Sequence, residues 1–210
     1  MYHFTSVKHA LCDIDRGRIK VARVSDLNDP FELMAPNFRD PGVKRRVMEF
    51  RERFDKENGL VCFSCDWTSP LLWSHYGAKH RGMCLGFQVK RSSRCRFVSY
   101  VNQRLSDVGA DANGDELREQ LLCTKYSQWL YEDEARLFVD LGEVEREEPL
   151  YFYRFNEELQ LREVILGSYC AEPLSTVREL VSMKYPRALT YKAALMHKWF
   201  AVGPDFKFQG

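Results

Sequence analysis

Three charged side chains, Glu132, Glu134 and Arg136, stand at alternate positions in the stretch WLYEDEARLFV. In a β-strand, successive side chains point to opposite faces, so these three would share one face. One interpretation is a solvated edge strand whose ion pairs are weak. The other is the floor of a cleft, in which one carboxylate does chemistry while Arg136 keeps it ionised or binds a phosphate.

The elements that must position these residues follow from hydrophobic periodicity and from turn signals. The sequence predicts strands at about 2–5, 19–24, 60–64, 83–89, 95–101, 131–141, 151–155, 161–169 and 188–196, and helices at about 7–16, 42–57, 71–77, 115–127 and 175–184. This order predicts an α+β fold, with mixed or antiparallel sheets and inserted helices, in a single domain over residues 1–210.

The composition limits the possible partners and the compartment. Lys and Arg total 31 against 30 for Asp and Glu, so no overall field favours nucleic acid or an anionic membrane. No apolar run approaches the ~18–20 residues of a transmembrane helix, and the first residues lack a signal peptide, so we expect a cytoplasmic protein without membrane contact. Seven scattered cysteines with one CxxC pair predict reduced thiols and no metal site. A hydrolytic metalloenzyme is therefore a weaker alternative, since His75, His80, Asp29 and Glu32 lack metal-site spacing.

Seven short motifs occur in an order that resembles a known family. They are YHFTS, LNDPFE, CFS, LWSHY through Gly82, LGF, YEDEAR with Trp129, and ILG. The series, from residue 2 to about residue 170, looks like the bacterial family catalogued as domain of unknown function 2971. That resemblance implies no established activity.

A second resemblance bears on chemistry. The opening His3-Phe4-Thr5, a helix and Gly17-Arg18-Ile19 resemble the entry of ADP-ribosyltransferase folds, especially the DNA-modifying toxins and the RNA 2′-phosphotransferases. Such folds place a His or Arg on the first strand, a Ser, Thr or Tyr on a middle strand and a Glu on a late strand, around a cleft for NAD. The resemblance implies that His3, Ser64 and either Glu132 or Glu134 fill these positions.

The resemblance also implies roles for these residues. Cleavage of the nicotinamide–ribose bond passes through an oxocarbenium-like state, which Glu134 or Glu132 would stabilise, or either would act as a general base. His3 would donate to a ribose or to a phosphate. The expected cofactor contacts are His3, Thr5, Ser64, Tyr76, Asn28 and Arg136.

Each of these residues also has a structural interpretation. His3 can be a packed core histidine, Ser64 can satisfy nearby backbone, and Asn28-Asp29-Pro30 makes a stable turn without any function. Tyr76, like Trp73 before it, can pack in the core. Glu32, just after that turn, adds a third carboxylate that we expect to approach Glu132 or Arg136.

Two functions of different classes follow. The first is an ADP-ribosyltransferase that uses NAD to modify a nucleic acid or a protein, in a bacterial toxin or phage-defence system; a variant would act on a nucleotide or RNA phosphate. The alternative is a non-catalytic module that senses a nucleotide or a partner, in which Glu132, Glu134 and Arg136 form a buried polar network.

Overall fold

The computed structural model describes residues 1–90, 94–106 and 115–205. The chain is a mixed α+β protein with several helices, as the sequence predicts. The helices are α1 (Val7–Arg16), α2 (Pro41–Glu57), α3 (Pro70–His75), α4 (Asp115–Cys123) and α5 (Leu174–Lys184). The strands are β1 (Tyr2–Thr5), β2 (Arg18–Val21), β3 (Asn58–Ser64), β4 (Met83–Val89), β5 (Cys95–Phe97), β6 (Ser99–Val101), β7 (Thr124–Tyr126), β8 (Glu134–Asp140), β9 (Glu145–Glu147), β10 (Leu150–Arg154), β11 (Leu159–Leu166), β12 (Leu189–Leu195) and β13 (Val202–Pro204).

The contacts within the chain define two compact units. The first unit contains the described residues of Met1–Ile19, Phe63–Ser92 and Arg154–Gly210, and the second contains those of Lys20–Cys62 and Ser93–Tyr153. The expectation of a single domain over 1–210 stays a prediction. Within the described part of the chain, no helix combines the length and the apolar character that crossing a bilayer requires.

The first unit is built on a sheet with the strand order β13-β12-β11-β4-β1, and the end of β3 follows β1. β1 runs antiparallel to β4, with His3 opposite Leu85, whereas β11 and β12 are parallel. Helix α1 has the bounds that the sequence predicts, because the Ser6 side chain accepts the His9 amide and Gly17 ends the helix at φ 64°.

The second unit contains residues 58–62 of β3, followed by β8 and β5 in that order, with β5 antiparallel to β8. Strands β6 and β7 form a parallel pair. A core cluster joins elements that are distant in the chain: Val24, Leu33, Phe54, Leu60, Leu122 and Cys123. This buried core makes helix α2 and strand β3 a firm base for the loops around them.

Several predicted bounds are wrong, and the most important concerns the Glu/Arg stretch. The strand predicted over 131–141 begins only at Glu134, because Ser127–Glu132 forms a 3₁₀ helix and Asp133 adopts the left-handed conformation at φ 41°. Asp tolerates this conformation better than most residues, so it can reverse the chain here. Glu132 is therefore not on the strand with Glu134 and Arg136.

Smaller corrections have simple causes. The predicted helix 115–127 ends at Cys123, since Thr124–Tyr126 pairs with β6. The strand predicted over 95–101 is two strands, β5 and β6. The helix predicted over 175–184 begins at Leu174, after the N-cap residue Pro173.

Candidate functional site

The predicted site residues divide between the two units. His3, Thr5, Ser64 and Tyr76 belong to the first unit, and Asn28, Glu132, Glu134 and Arg136 belong to the second.

In the first unit, the predicted residues make local contacts. His3 is half-buried, with its ring edge-on to Phe63 at 6.3 Å between centroids. The Ser64 hydroxyl donates to the Asp66 carbonyl at 2.8 Å and accepts the Asp66 amide at 3.1 Å. Thr5 pairs with Met83 on β4, and Tyr76 follows helix α3 directly. The Ser64 hydroxyl is thus engaged in hydrogen bonds to the backbone of the adjacent turn.

In the second unit, five ionisable side chains meet in the interior, and we call them the charge cluster: Glu32, Lys125, Glu132, Glu134 and Arg136. Arg136 has no exposed surface, and none of the other four is more than 6% exposed. The sequence-based expectation that Glu32 approaches Arg136 is confirmed, since Arg136 Nη2 donates to Glu32 Oε1 at 2.8 Å.

Glu134 and Arg136 form a double contact on the same face of β8. Arg136 Nε donates to Glu134 Oε1 at 2.8 Å, and Nη2 donates to Oε2 at 3.0 Å. Arg136 Nη1 donates to the Leu122 carbonyl at 2.9 Å, at the end of α4. The planar fork of the guanidinium suits this geometry, which fixes both side chains.

Lys125 joins all three carboxylates. Its Nζ lies 2.5 Å from Glu132 Oε2, 3.1 Å from Glu134 Oε2 and 3.3 Å from Glu32 Oε1. It also lies 5.1 Å from the centroid of the Trp129 ring. Lys125 is therefore the centre of the cluster, with a cation–π contact on one side.

Two turns position the cluster carboxylates that do not lie on β8. Glu132 is the last residue of the 3₁₀ helix, and the left-handed Asp133 reverses the chain directly after it. Asp29 Oδ1 accepts the Phe31 amide at 2.9 Å, and Arg51 Nε donates to the Glu32 carbonyl at 3.2 Å. The Asn-Asp-Pro turn thus orients Glu32, whereas Asn28 itself is exposed.

The cluster contains three carboxylates and two cations, so it carries a net charge of −1 when all five groups are ionised. Burial alone would raise the pKa of the Glu134 carboxyl, but Arg136 and Lys125 outweigh it and lower the pKa to about 2. The carboxylates raise the pKa of Lys125 and Arg136 against the effect of burial. Among the described residues, Glu32 Oε2 is buried without a hydrogen-bond partner.

The Cys62 thiol completes the surroundings of Glu134. Burial, together with the Glu134 charge, raises the pKa of this thiol, which stays protonated and donates to Glu134. Both Glu134 oxygens therefore accept hydrogen bonds within the cluster. A carboxylate that is saturated and has a pKa near 2 is a poor general base at neutral pH.

An open pocket of about 280 Å³ adjoins this cluster, and Lys125 forms part of its wall. We call it the aromatic pocket, and its other lining residues include Phe31, Val101, Asn102, Arg104 and Tyr126. Phe31 is 57% exposed and Tyr126 is 50% exposed. Two aromatic side chains of this size are thus available to a ligand in solution.

Backbone contacts hold the walls of the aromatic pocket together. Arg104 Nη1 donates to the carbonyls of Met34 and Pro36, and the Leu105 amide donates to the Ala35 carbonyl at 3.0 Å. The Arg104 guanidinium also lies over the Phe31 ring, 5.2 Å from its centroid. The pocket is therefore preformed rather than a gap between loose loops.

The described residues include no group of three or more His, Cys, Asp and Glu side chains placed to bind a metal ion. Sequence reasoning missed Lys125, because it falls in a segment predicted as the end of a helix. The only hint in the sequence was a single cationic residue in Thr124-Lys125-Tyr126, seven residues before Glu132.

Comparisons with family models, with characterised proteins and with solved structures give no match to this chain.

Proposed function

We propose that this protein is a nucleotide-binding module, in which the aromatic pocket takes the ligand and the charge cluster is a structural network behind it. The observation that carries the proposal is the double role of Lys125, which is the centre of the cluster and also lines the pocket. Three carboxylates fix the position of the ammonium, so a bound ligand meets a preorganised wall.

The chemistry of the pocket fits a flat ring joined to an anionic group. A nucleobase can stack on the exposed faces of Phe31 or Tyr126, and such stacking contributes about 1–3 kcal/mol per base. Asn102 and Gln103 line the same pocket and offer amide groups to the edge of a base. Arg104, on the pocket wall, offers donors to a phosphate.

The volume of the pocket limits how much of the ligand it encloses. At about 280 Å³, it lies near the lower end of the ~300–1,000 Å³ that ligand pockets usually have. We therefore expect the pocket to hold the base and part of the ribose. The rest of a longer ligand would extend into solvent.

The ADP-ribosyltransferase is the second candidate, and one observation favours it. Glu132 and Glu134, the two proposed catalytic residues, both contact Lys125, which reaches the aromatic pocket. A ribose in this pocket would thus be one side chain away from two carboxylates. Against catalysis, Glu134 is 5% exposed and its oxygens are already engaged.

One titration separates the two candidates. AMP, NAD and ribose 5-phosphate are titrated calorimetrically into the full chain, and free nicotinamide is assayed in the NAD samples. The nucleotide-binding proposal predicts saturable binding of AMP and NAD, weaker binding of ribose 5-phosphate, and no release of nicotinamide. Release of nicotinamide that is lost in Glu134→Gln, with the fold retained, would favour the transferase. A Kd of ~1 mM corresponds to a binding free energy of only about −4 kcal/mol. If neither AMP nor NAD binds at ~1 mM, both candidate functions are contradicted.

A further inference from the structure

A second pocket in the second unit gathers three arginine side chains. It has a volume of about 500 Å³, and Arg94, Arg96 and Arg118 line it together with Leu122, Cys123 and Phe138. We call it the arginine pocket. Its lining shares no residue with that of the aromatic pocket, and neither Glu134 nor Arg136 lines it.

We propose that the arginine pocket binds a polyphosphate-type anion, such as the phosphate chain of a phosphorylated metabolite. Guanidinium groups present donors in a planar fork that matches phosphate oxygens in pairs. Three such groups around one pocket favour a ligand with several phosphates over a single small ion. The pocket volume also exceeds what one phosphate ion would fill.

Two of the pocket arginines form ion pairs with carboxylates, and these ion pairs are weak because they are exposed to solvent. Arg94 lies 3.3 Å from Glu143, with side-chain exposures of 49% and 62%, and Arg96 Nε lies 2.8 Å from Glu119, with exposures of 36% and 56%. Exposed ion pairs of this kind contribute at most about 1 kcal/mol each. An incoming polyanion can therefore take over both guanidinium groups while Glu119 and Glu143 turn to solvent.

Two other ionisable groups line the pocket. Asp140 is a third carboxylate there; its Oδ1 accepts the Gly142 amide at 2.7 Å, and the residue is exposed, so water and salt screen its charge. Burial raises the pKa of the Cys123 thiol to about 11, so this side chain is neutral at pH 7. Leu122, Phe138 and Val139 also line the pocket and carry no charge that would oppose an anion.

Hydrogen bonds and strand pairing fix the backbone positions of the arginines around the pocket. The Arg94 carbonyl accepts the Phe138 amide at 2.9 Å, and Arg96 stands opposite Arg136 in the antiparallel pairing of β5 with β8. Arg118 comes from helix α4. Arg94 directly precedes β5 and Arg96 lies within it, so the three cations come from the β5 region and from α4 and meet at one pocket.

The test is a calorimetric titration of the full chain with inorganic tripolyphosphate, at constant ionic strength, with citrate as a carboxylate comparator. We expect saturable tripolyphosphate binding that weakens about tenfold in Arg96→Gln and in Arg118→Gln. The matched control Arg45→Gln changes an exposed arginine of α2 that does not line the pocket, and it should bind like the wild type. Glu119→Gln removes the competing carboxylate and should strengthen binding several-fold.

The proposal would be overturned by the absence of tripolyphosphate binding at millimolar concentration, by equal losses in Arg45→Gln and Arg118→Gln, or by citrate binding as tight as tripolyphosphate. The aromatic pocket provides an independent check, because Phe31→Ala should leave tripolyphosphate binding unchanged. Equal loss of tripolyphosphate and AMP binding in Phe31→Ala would mean a single shared site and would also contradict the proposal.

Discussion

The Lys125 ammonium and the Glu134 carboxylate lie 3.1 Å apart in the interior of the second unit, although one follows helix α4 and the other begins strand β8. Both are at least 94% buried, so each charge depends on the partners that the cluster gives it: Glu134 also contacts Arg136, and Lys125 also contacts Glu132. Lys125 also lines the aromatic pocket. This residue therefore links the stability of the unit to the geometry of its candidate ligand site.

Removing the Arg136 guanidinium from the charge cluster should strongly destabilise the protein. Arg136→Met leaves Glu134 and Glu32 buried with one cation fewer, so we expect the free energy of unfolding to fall by about 3–5 kcal/mol. Urea denaturation measures this change. The control is Arg96→Met, which breaks an exposed pair with Glu119 and should cost less than about 1 kcal/mol. A loss in Arg136→Met no larger than that of the control would show that the cluster does not stabilise the fold.

The contribution of Glu134 to stability should depend on pH in a defined window. Its carboxyl has a pKa of about 2 in the folded protein and about 4.5 in the unfolded chain, so the folded state favours the ionised form. The stabilisation, on the order of 3 kcal/mol, is fully present above pH 4.5 and is lost as the pH falls toward 2. The stability difference between wild type and Glu134→Gln should shrink over this range.

Glu32→Gln is the matched control for that comparison. It removes one of three carboxylates that share two cations, and it replaces the buried Glu32 Oε2, which accepts no hydrogen bond. At pH 7 we expect it to destabilise the protein clearly less than Glu134→Gln does. Equal losses in the two variants would contradict the charge balance described for the cluster.

Asp13 in the first unit should give the opposite pH dependence. Burial raises the pKa of its carboxyl to about 7, although the nearby Arg18 acts in the other direction. The folded state therefore binds a proton that the unfolded chain releases near pH 4. Stability should fall as the pH rises from about 4 to 7.

The variant Asp13→Asn should remove this slope and should be more stable than wild type above pH 7. Chemical denaturation at several pH values measures the effect. Asp15→Asn, on the exposed side of the same helix, should keep the wild-type slope between pH 4 and 7, since the Lys184 contact lowers the pKa of Asp15. An unchanged slope in Asp13→Asn would assign the pH dependence to another group.

Stacking in the aromatic pocket should dominate AMP affinity. Phe31→Ala removes an exposed ring from the pocket, so we expect AMP affinity to fall about tenfold or more, consistent with ~1–3 kcal/mol for a stacked base. Calorimetry measures the affinity. The control Phe97→Ala removes an equally exposed ring, 61% accessible, that does not line this pocket. A similar loss in both variants would point to nonspecific binding.

The sequence predicts the fold well where local signals decide it. Ser6 and Gly17 bracket helix α1 because a cap and a left-handed residue are readable from single positions. The prediction that Glu132 lies on the same strand as Glu134 is wrong, because the left-handed Asp133 reverses the chain between them. Alternation alone cannot reveal that reversal.

The charge cluster was only partly predictable, for a different physical reason. Glu134 and Arg136 share a face through their spacing, which the pattern does give. Lys125 and Glu32 enter through tertiary packing, and Glu32 is 104 residues from Arg136 in the chain. Contacts of this range depend on the whole fold rather than on any local motif.

The most direct test of the account is a crystal structure of the full chain with AMP bound. We expect the adenine ring against Phe31 or Tyr126, the phosphate within reach of Arg104, and the contacts between Lys125, Glu132 and Glu134 unchanged. AMP bound elsewhere, with the aromatic pocket empty, or a cluster that opens to place Glu134 on the ribose, would contradict it.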